Sequence, residues 1–213
     1  MDGKKLIIFD KDGTLMDASP GSMKAVVRVA ETMGKPVPSE DQMLKSFCGS
    51  FGHNIMWLLG LKQEEQIPAI MSYVKFYGED EGYYDYKEYP GLSDTIVELS
   101  GKYMLSVATM MYTDFAEKAL ASMDIDGCFL TIRGVALDHW VSKVDLIREC
   151  MEFADVTPEE TVMIGDSHDD MESARATGVD FIAVTYGYDF TEEECREKGI
   201  PYARTPAELL NIL

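Results

Sequence analysis

Leu6-Ile7-Ile8-Phe9-Asp10-Lys11-Asp12-Gly13-Thr14-Leu15 is the stretch from which the rest of the chain can be read. Four apolar residues make a short buried strand, and two carboxylates one residue apart close it before the backbone turns on Gly13. Such a strand end suits phosphoryl transfer. Asp10 is placed to attack phosphorus, and Asp12 to move a proton to and from the ester oxygen. Two carboxylates and a phosphate repel one another, so the pair calls for a bivalent metal.

Outward from this stretch, short apolar runs recur at residues 103–108, 129–132, 161–164 and 181–184. Helical stretches separate them, and several carry start signals. Thr157-Pro158-Glu159-Glu160 and Thr205-Pro206-Ala207-Glu208 read as capping boxes with Pro at the first helical position, and Thr191 to Glu194 as a third box. Strands alternating with helices predict an α/β fold, a Rossmann-like parallel sheet with helices on both faces. Right-handed crossovers then bring the carboxyl ends of the strands to one edge, where open α/β sheets bind ligands.

One segment breaks the alternation. Between residues 16 and 86 there is no strand pattern, only helix-like stretches opened by Ser19-Pro20 and by Ser39 with Gln42, then 54–61 and 64–77. The expectation is a catalytic core of residues 1–15 and 87–213, with an all-helical cap domain, 16–86, inserted after the Asp10 loop. Tyr73, Tyr77, Tyr83, Tyr84, Tyr86 and Tyr89 read mostly as cap surface and hinge.

Composition narrows the function classes. The 213 residues carry 46% hydrophobic and 27% charged side chains, the proportions of a soluble globular protein. Lys+Arg 19 against Asp+Glu 38 gives a net charge of −19. That charge repels nucleic acid and anionic membrane, so neither is expected as a partner. It repels a phosphate substrate too, so a phosphate site here needs a cation, Lys and backbone N–H groups. The start, Met1-Asp2-Gly3-Lys4-Lys5, is unlike a signal peptide, and a cytoplasmic protein is expected. The cysteines lie apart without CxxC spacing and read as reduced thiols. Monomer and homodimer stay equally open.

Four pieces of sequence fall at predicted strand ends or helix starts. They are Asp10 to Thr14, Thr109 after Leu105-Ser106-Val107-Ala108, Lys143 behind the N-cap candidate Ser142, and Gly165-Asp166-Ser167-His168-Asp169-Asp170. Together they resemble the haloacid dehalogenase superfamily, specifically its phosphoglycolate phosphatase-like members with a helical cap. The resemblance covers essentially the whole chain. It implies that Asp10 is a nucleophile forming an aspartyl-phosphate, that Asp12 is the general acid/base, and that Thr109 and Lys143 hold phosphate oxygens. It also implies Mg2+ on Asp10, Asp166 and the backbone carbonyl of Asp12, with Asp170 in support. Gly13 lets backbone N–H groups face the anion. Within the superfamily, ion pumps with a long-lived phosphoenzyme carry Thr where Asp12 stands, and dehalogenases lack the second Asp. Asp12 thus points to phosphoester turnover.

The expected substrate is a small phosphorylated metabolite. Relatives commonly place Asn-Lys after the Thr109 position; here Met110-Met111 follows, so Met110 stands as an apolar substrate-side residue. Gly49, Ser50 and His53 lie in a stretch resembling the relatives' substrate-specificity loop; leaving-group contact, packing and surface roles are all open for them. Three alternatives share parts of the pattern: a β-phosphoglucomutase-type phosphosugar mutase, an inorganic pyrophosphatase, and a receiver-like phospho-acceptor domain. The cap insertion and Asp12 argue against the last.

Overall fold

A computed structural model describes residues 3–47, 51–136 and 141–213, with the side chains of 51–53 also outside the description. Six parallel strands form one sheet: β1 (Leu6–Phe9), β2 (Met104–Tyr112), β3 (Thr131–Val135), β4 (Thr161–Gly165), β5 (Asp180–Val184) and β6 (Tyr202–Ala203). Their order is β3-β2-β1-β4-β5-β6. Every residue of β1 and β4 is buried, as expected for central strands covered on both faces. The chain runs outward from β1 to β3, then crosses back to β4 on the other side of β1. The direction of winding therefore reverses between β1 and β4, and a crevice opens beyond their carboxyl ends. Register fixes what meets there. Phe9 is level with Val107 and Ile164, and the Asp10 N–H donates to the Ile164 carbonyl at 2.9 Å. Asp10 and Asp166 thus leave neighbouring strands at nearly one height.

The chain forms two compact units, Met1–Asp17 with Glu88–Leu213, and Ala18–Lys87. The second unit holds α1 (Ser19–Thr32), α2 (Glu40–Ser46), α3 (Phe51–Leu59) and α4 (Gln66–Glu79). Val26, Val29 and Ala30 of α1, Ile55 of α3, and Ala69 and Tyr77 of α4 are buried within it. Ser39 and Gln42 cap α2 reciprocally. The reading of the six tyrosines as mostly surface and hinge fails for three of them. Tyr73, Tyr77 and Tyr83 are buried, Tyr73 stacks on Tyr77 at 5.6 Å, and the Tyr73 hydroxyl donates to Ser22 Oγ at 3.1 Å. A small all-helical unit needs wide aromatic side chains to fill its centre.

The first unit adds α5 (Leu92–Ser100), α6 (Thr113–Ser122), α7 (Lys143–Ala154), α8 (His168–Thr177), α9 (Glu192–Lys198) and α10 (Leu209–Ile212). Element bounds differ from the sequence reading at several places. β2 runs on through Thr109 and Met110 to Tyr112, with a register shift against β3. β3 starts at Thr131 instead of 129. Pro158–Glu160 is one 3-10 turn instead of a helix. Its carbonyls are already taken: Lys5 N–H donates to Glu160 at 2.8 Å, and Lys4 Nζ to Glu159 at 2.7 Å. Among the described residues no helix is long and apolar enough to cross a membrane.

Candidate active site

Each site residue owes its place to a strand end or a helix start. Asp10 directly follows β1, Asp166 directly follows β4, Lys143 opens α7 and Asp170 lies in the first turn of α8. Asp10, Asp166 and Asp170 are buried, and one carboxylate oxygen from each lies within 4.8 Å of the others. Lys143 Nζ donates to Asp10 Oδ1 at 2.5 Å and pairs with Asp170 Oδ1 as well.

Asp170 has two functions in two oxygens. Its Oδ2 accepts from Ser167 Oγ at 2.7 Å and from the Ser167 N–H at 3.1 Å, closing a capping box at the head of α8. Its Oδ1 is left for Lys143. Asp169, one residue earlier, is exposed. On the other side, Ser142 caps α7, its Oγ accepting from the Asp145 N–H at 3.2 Å, so the helix start that carries Lys143 is locally determined.

Glycines make room for the acids. Gly13 has φ +87, and a Cβ there would strike the Asp166 carboxylate. A Cβ on Gly187 would meet Asp166 and the Gly13 carbonyl. The Asp12 carboxylate pairs with Lys11. Thr109 is buried in β2, its Oγ1 accepting from the Met111 N–H at 3.1 Å, and Met110 is exposed. Gly49, Ser50 and the His53 side chain lie outside the described residues.

A family model for haloacid dehalogenase-like hydrolases matches residues 7–184. The chain belongs to this family. Its fold superposes on a haloacid dehalogenase-like family hydrolase from Streptococcus pneumoniae with a TM-score of 0.89, at 28% identity over 100% of this chain and 99% of that one. Phosphoglycolate phosphatase of Escherichia coli is 26% identical, over 87% of this chain and 83% of that protein. Tyrosine-protein kinase PtkA of Mycobacterium tuberculosis is 30% identical, over 86% of this chain. The chain spans only 63% of the length of PtkA.

The electrostatics of this haloacid dehalogenase-like site are those of an acid cluster short of positive charge. Burial pushes Asp10 up to about 7, against the pull of Lys143. Burial likewise holds Asp166 well above the usual carboxylate range, with the Asp10 and Asp170 charges adding to it and the Tyr188 N–H opposing. Burial works against the charge on Lys143, but Asp10 and Asp170 outweigh it and raise its pKa. Three buried carboxylates facing one ammonium are what a hard divalent cation would satisfy, and the all-oxygen donor set fits Mg2+.

Sequence reasoning missed one loop. Residues 186–190, directly after β5, bind back onto the site. The Tyr188 N–H donates to Asp166 Oδ2 at 2.8 Å, the Tyr188 hydroxyl to Asp17 Oδ1 at 3.0 Å, and the Tyr186 hydroxyl to the Thr14 carbonyl at 3.2 Å. His168 pins the loop from α8: its ring meets Asp189 and Glu194 at 2.7 Å each and stacks on Phe190 at 4.5 Å. The sequence offered only a partial hint: the predicted strand 181–184 ends at the same sheet edge as the others, but no residue type marks the loop's turn back.

Proposed function

We propose that this haloacid dehalogenase-like phosphatase is Mg2+-dependent and hydrolyses a small phosphorylated metabolite through an aspartyl-phosphate on Asp10. The observation that carries the reading is the buried Asp10 carboxylate, 2.5 Å from Lys143 and grouped with Asp166 and Asp170 beyond β1 and β4. Asp10 attacks phosphorus while Asp12 gives a proton to the leaving oxygen as its bond to phosphorus breaks. Asp12 then takes a proton from water, the water oxygen bonds to phosphorus, and Asp10 is released. Lys143 and Thr109 hold phosphate oxygens, with Lys143 offsetting charge as the phosphoryl group moves. Bound Mg2+, held by Asp10, Asp166 and the Asp12 carbonyl with Asp170 in support, would neutralise the phosphate and help keep Asp10 ionised at neutral pH.

The unit Ala18–Lys87 serves as the cap that chooses the substrate. Its place in the chain, directly after the Asp10 loop, supports this role. The phosphoglycolate phosphatases among the relatives support a small anionic phosphomonoester as substrate. With Mg2+ the protein is expected to release free phosphate from an aryl phosphate, and Asp10→Asn to abolish the release. Undiminished turnover in that variant would remove Asp10 as the nucleophile. Conversion of a hexose 1-phosphate to the 6-phosphate without free phosphate would replace the hydrolase by a mutase.

A further inference from the structure

Lys11 stands between the two loop carboxylates and is completely buried. On a continuing strand its side chain would leave on the face opposite Asp10 and Asp12. The turn alters that. The Lys11 carbonyl accepts N–H bonds from Thr14, Leu15 and Met16 at 3.3, 2.9 and 3.2 Å, and the Gly13 N–H donates to the Met16 carbonyl at 2.8 Å. Residues 11–16 therefore wrap around the Lys11 backbone. The ammonium turns back onto Asp12 Oδ1, with Met16 Sδ 3.9 Å away.

A buried ammonium loses its hydration, and a single ion pair commonly returns no more than an apolar side chain of similar length would. Leu15 and Met16 are themselves buried, so an apolar residue at position 11 would find apolar company. Stability alone does not account for a lysine there. Asp12 is the partner with freedom to lose: its side chain keeps 28% of its exposure, and unpaired it would sample several rotamers in water.

We infer that Lys11 is a positioning residue, holding the Asp12 carboxyl group where it can pass its proton to the leaving oxygen. The inference rests on the reading of Asp12 as general acid/base. The proton that moves is the one on Asp12, delivered as the bond from phosphorus to the leaving oxygen breaks. Proton transfer needs an approach of roughly 2.6–3.2 Å, so a freely turning carboxyl group would reach it in only part of its conformers.

The test compares leaving groups, because a good one needs little proton donation and a poor one needs much. kcat/KM is measured with Mg2+ for 4-nitrophenyl, phenyl and 4-methoxyphenyl phosphate in the wild type, Asp12→Asn, Lys11→Met and the double variant. Asp12→Asn should steepen the dependence on leaving group; if it does not, the reading of Asp12 fails, and the role of Lys11 with it. Given that steepening, Lys11→Met should lose about tenfold or more with 4-methoxyphenyl phosphate and less than about threefold with 4-nitrophenyl phosphate. The double variant should be no slower than Asp12→Asn. An equal loss for every leaving group, no loss, or additive losses in the double variant would overturn the inference. Melting curves check folding. If Lys11→Met does not fold, Lys11→Leu, which also removes the donor, takes its place with the same expectations.

Discussion

At the scale of the residue, the site is made by side chains and glycines that each satisfy two demands. Asp170 caps α8 with one oxygen and meets Lys143 with the other. Gly13 supplies a left-handed turn and an absent Cβ together. Gly13→Ala should cost about 1–2 kcal/mol for the backbone alone, and more because the new methyl displaces the Asp166 carboxylate. The expected outcome is a lower Tm and weaker Mg2+ binding by calorimetry; unchanged metal affinity would contradict the packing described. Asp10, Asp12 and Gly13 could be picked out from sequence because their relation is local, two carboxylates and a turn within four residues. The direction of Lys11 could not, since it depends on three N–H groups folding back onto one carbonyl.

At the scale of the element, capping decides where Lys143 stands. Ser142→Ala removes a side-chain cap, expected to cost about 1 kcal/mol and to lower Tm by roughly 2–4 °C for a chain of this length. Because Lys143 is the first residue of α7, loosening that turn should also lower kcat, measured by phosphate release. A fall in Tm without a fall in kcat would mean that the ion pairs alone hold Lys143. Ser142 with Asp145 was half legible as a cap in sequence, as were Ser39 and Gln42. Thr157 to Glu160 carries the same signature yet makes only one 3-10 turn, because Lys4 and Lys5, just ahead of β1, claim its carbonyls. The loop 186–190 went unread for a related reason: its chief bond to the site comes from a backbone N–H, which leaves no residue-type signature.

At the scale of the molecule, the net charge of −19 and the buried acid cluster act in the same direction. An acid whose folded pKa is raised binds protons on folding between its ordinary value, 3.8, and its folded value, about 7. Its contribution to stability is therefore greatest below the lower value and falls as pH rises through the upper one. Metal-free protein should lose stability between about pH 4 and pH 7 on this account. On the proposed function Mg2+ would bind the ionised cluster, so its stabilisation should be larger at about pH 8 than at about pH 5. At a hundred times Kd it amounts to about 2.7 kcal/mol, or roughly 5–10 °C in Tm. Melting curves in EDTA and in Mg2+ at both pH values test this; an equal or larger Mg2+ shift at the lower pH would refute the link to these acids.

The amino-acid sequence by itself determined the alternation of strands and helices, the strand-end acids and the helix that begins at Lys143, because hydrophobic period and capping chemistry are local. Tertiary structure alone decided that β1 and β4 lie side by side, where the winding reverses and Asp10 meets Asp166. It also decided that Tyr73 and Tyr77 fill a helical core, that Tyr188 holds Asp166, and that Lys11 turns onto Asp12. Each of these depends on the path of a backbone between distant or tightly wrapped residues, and no pattern along the chain encodes that path.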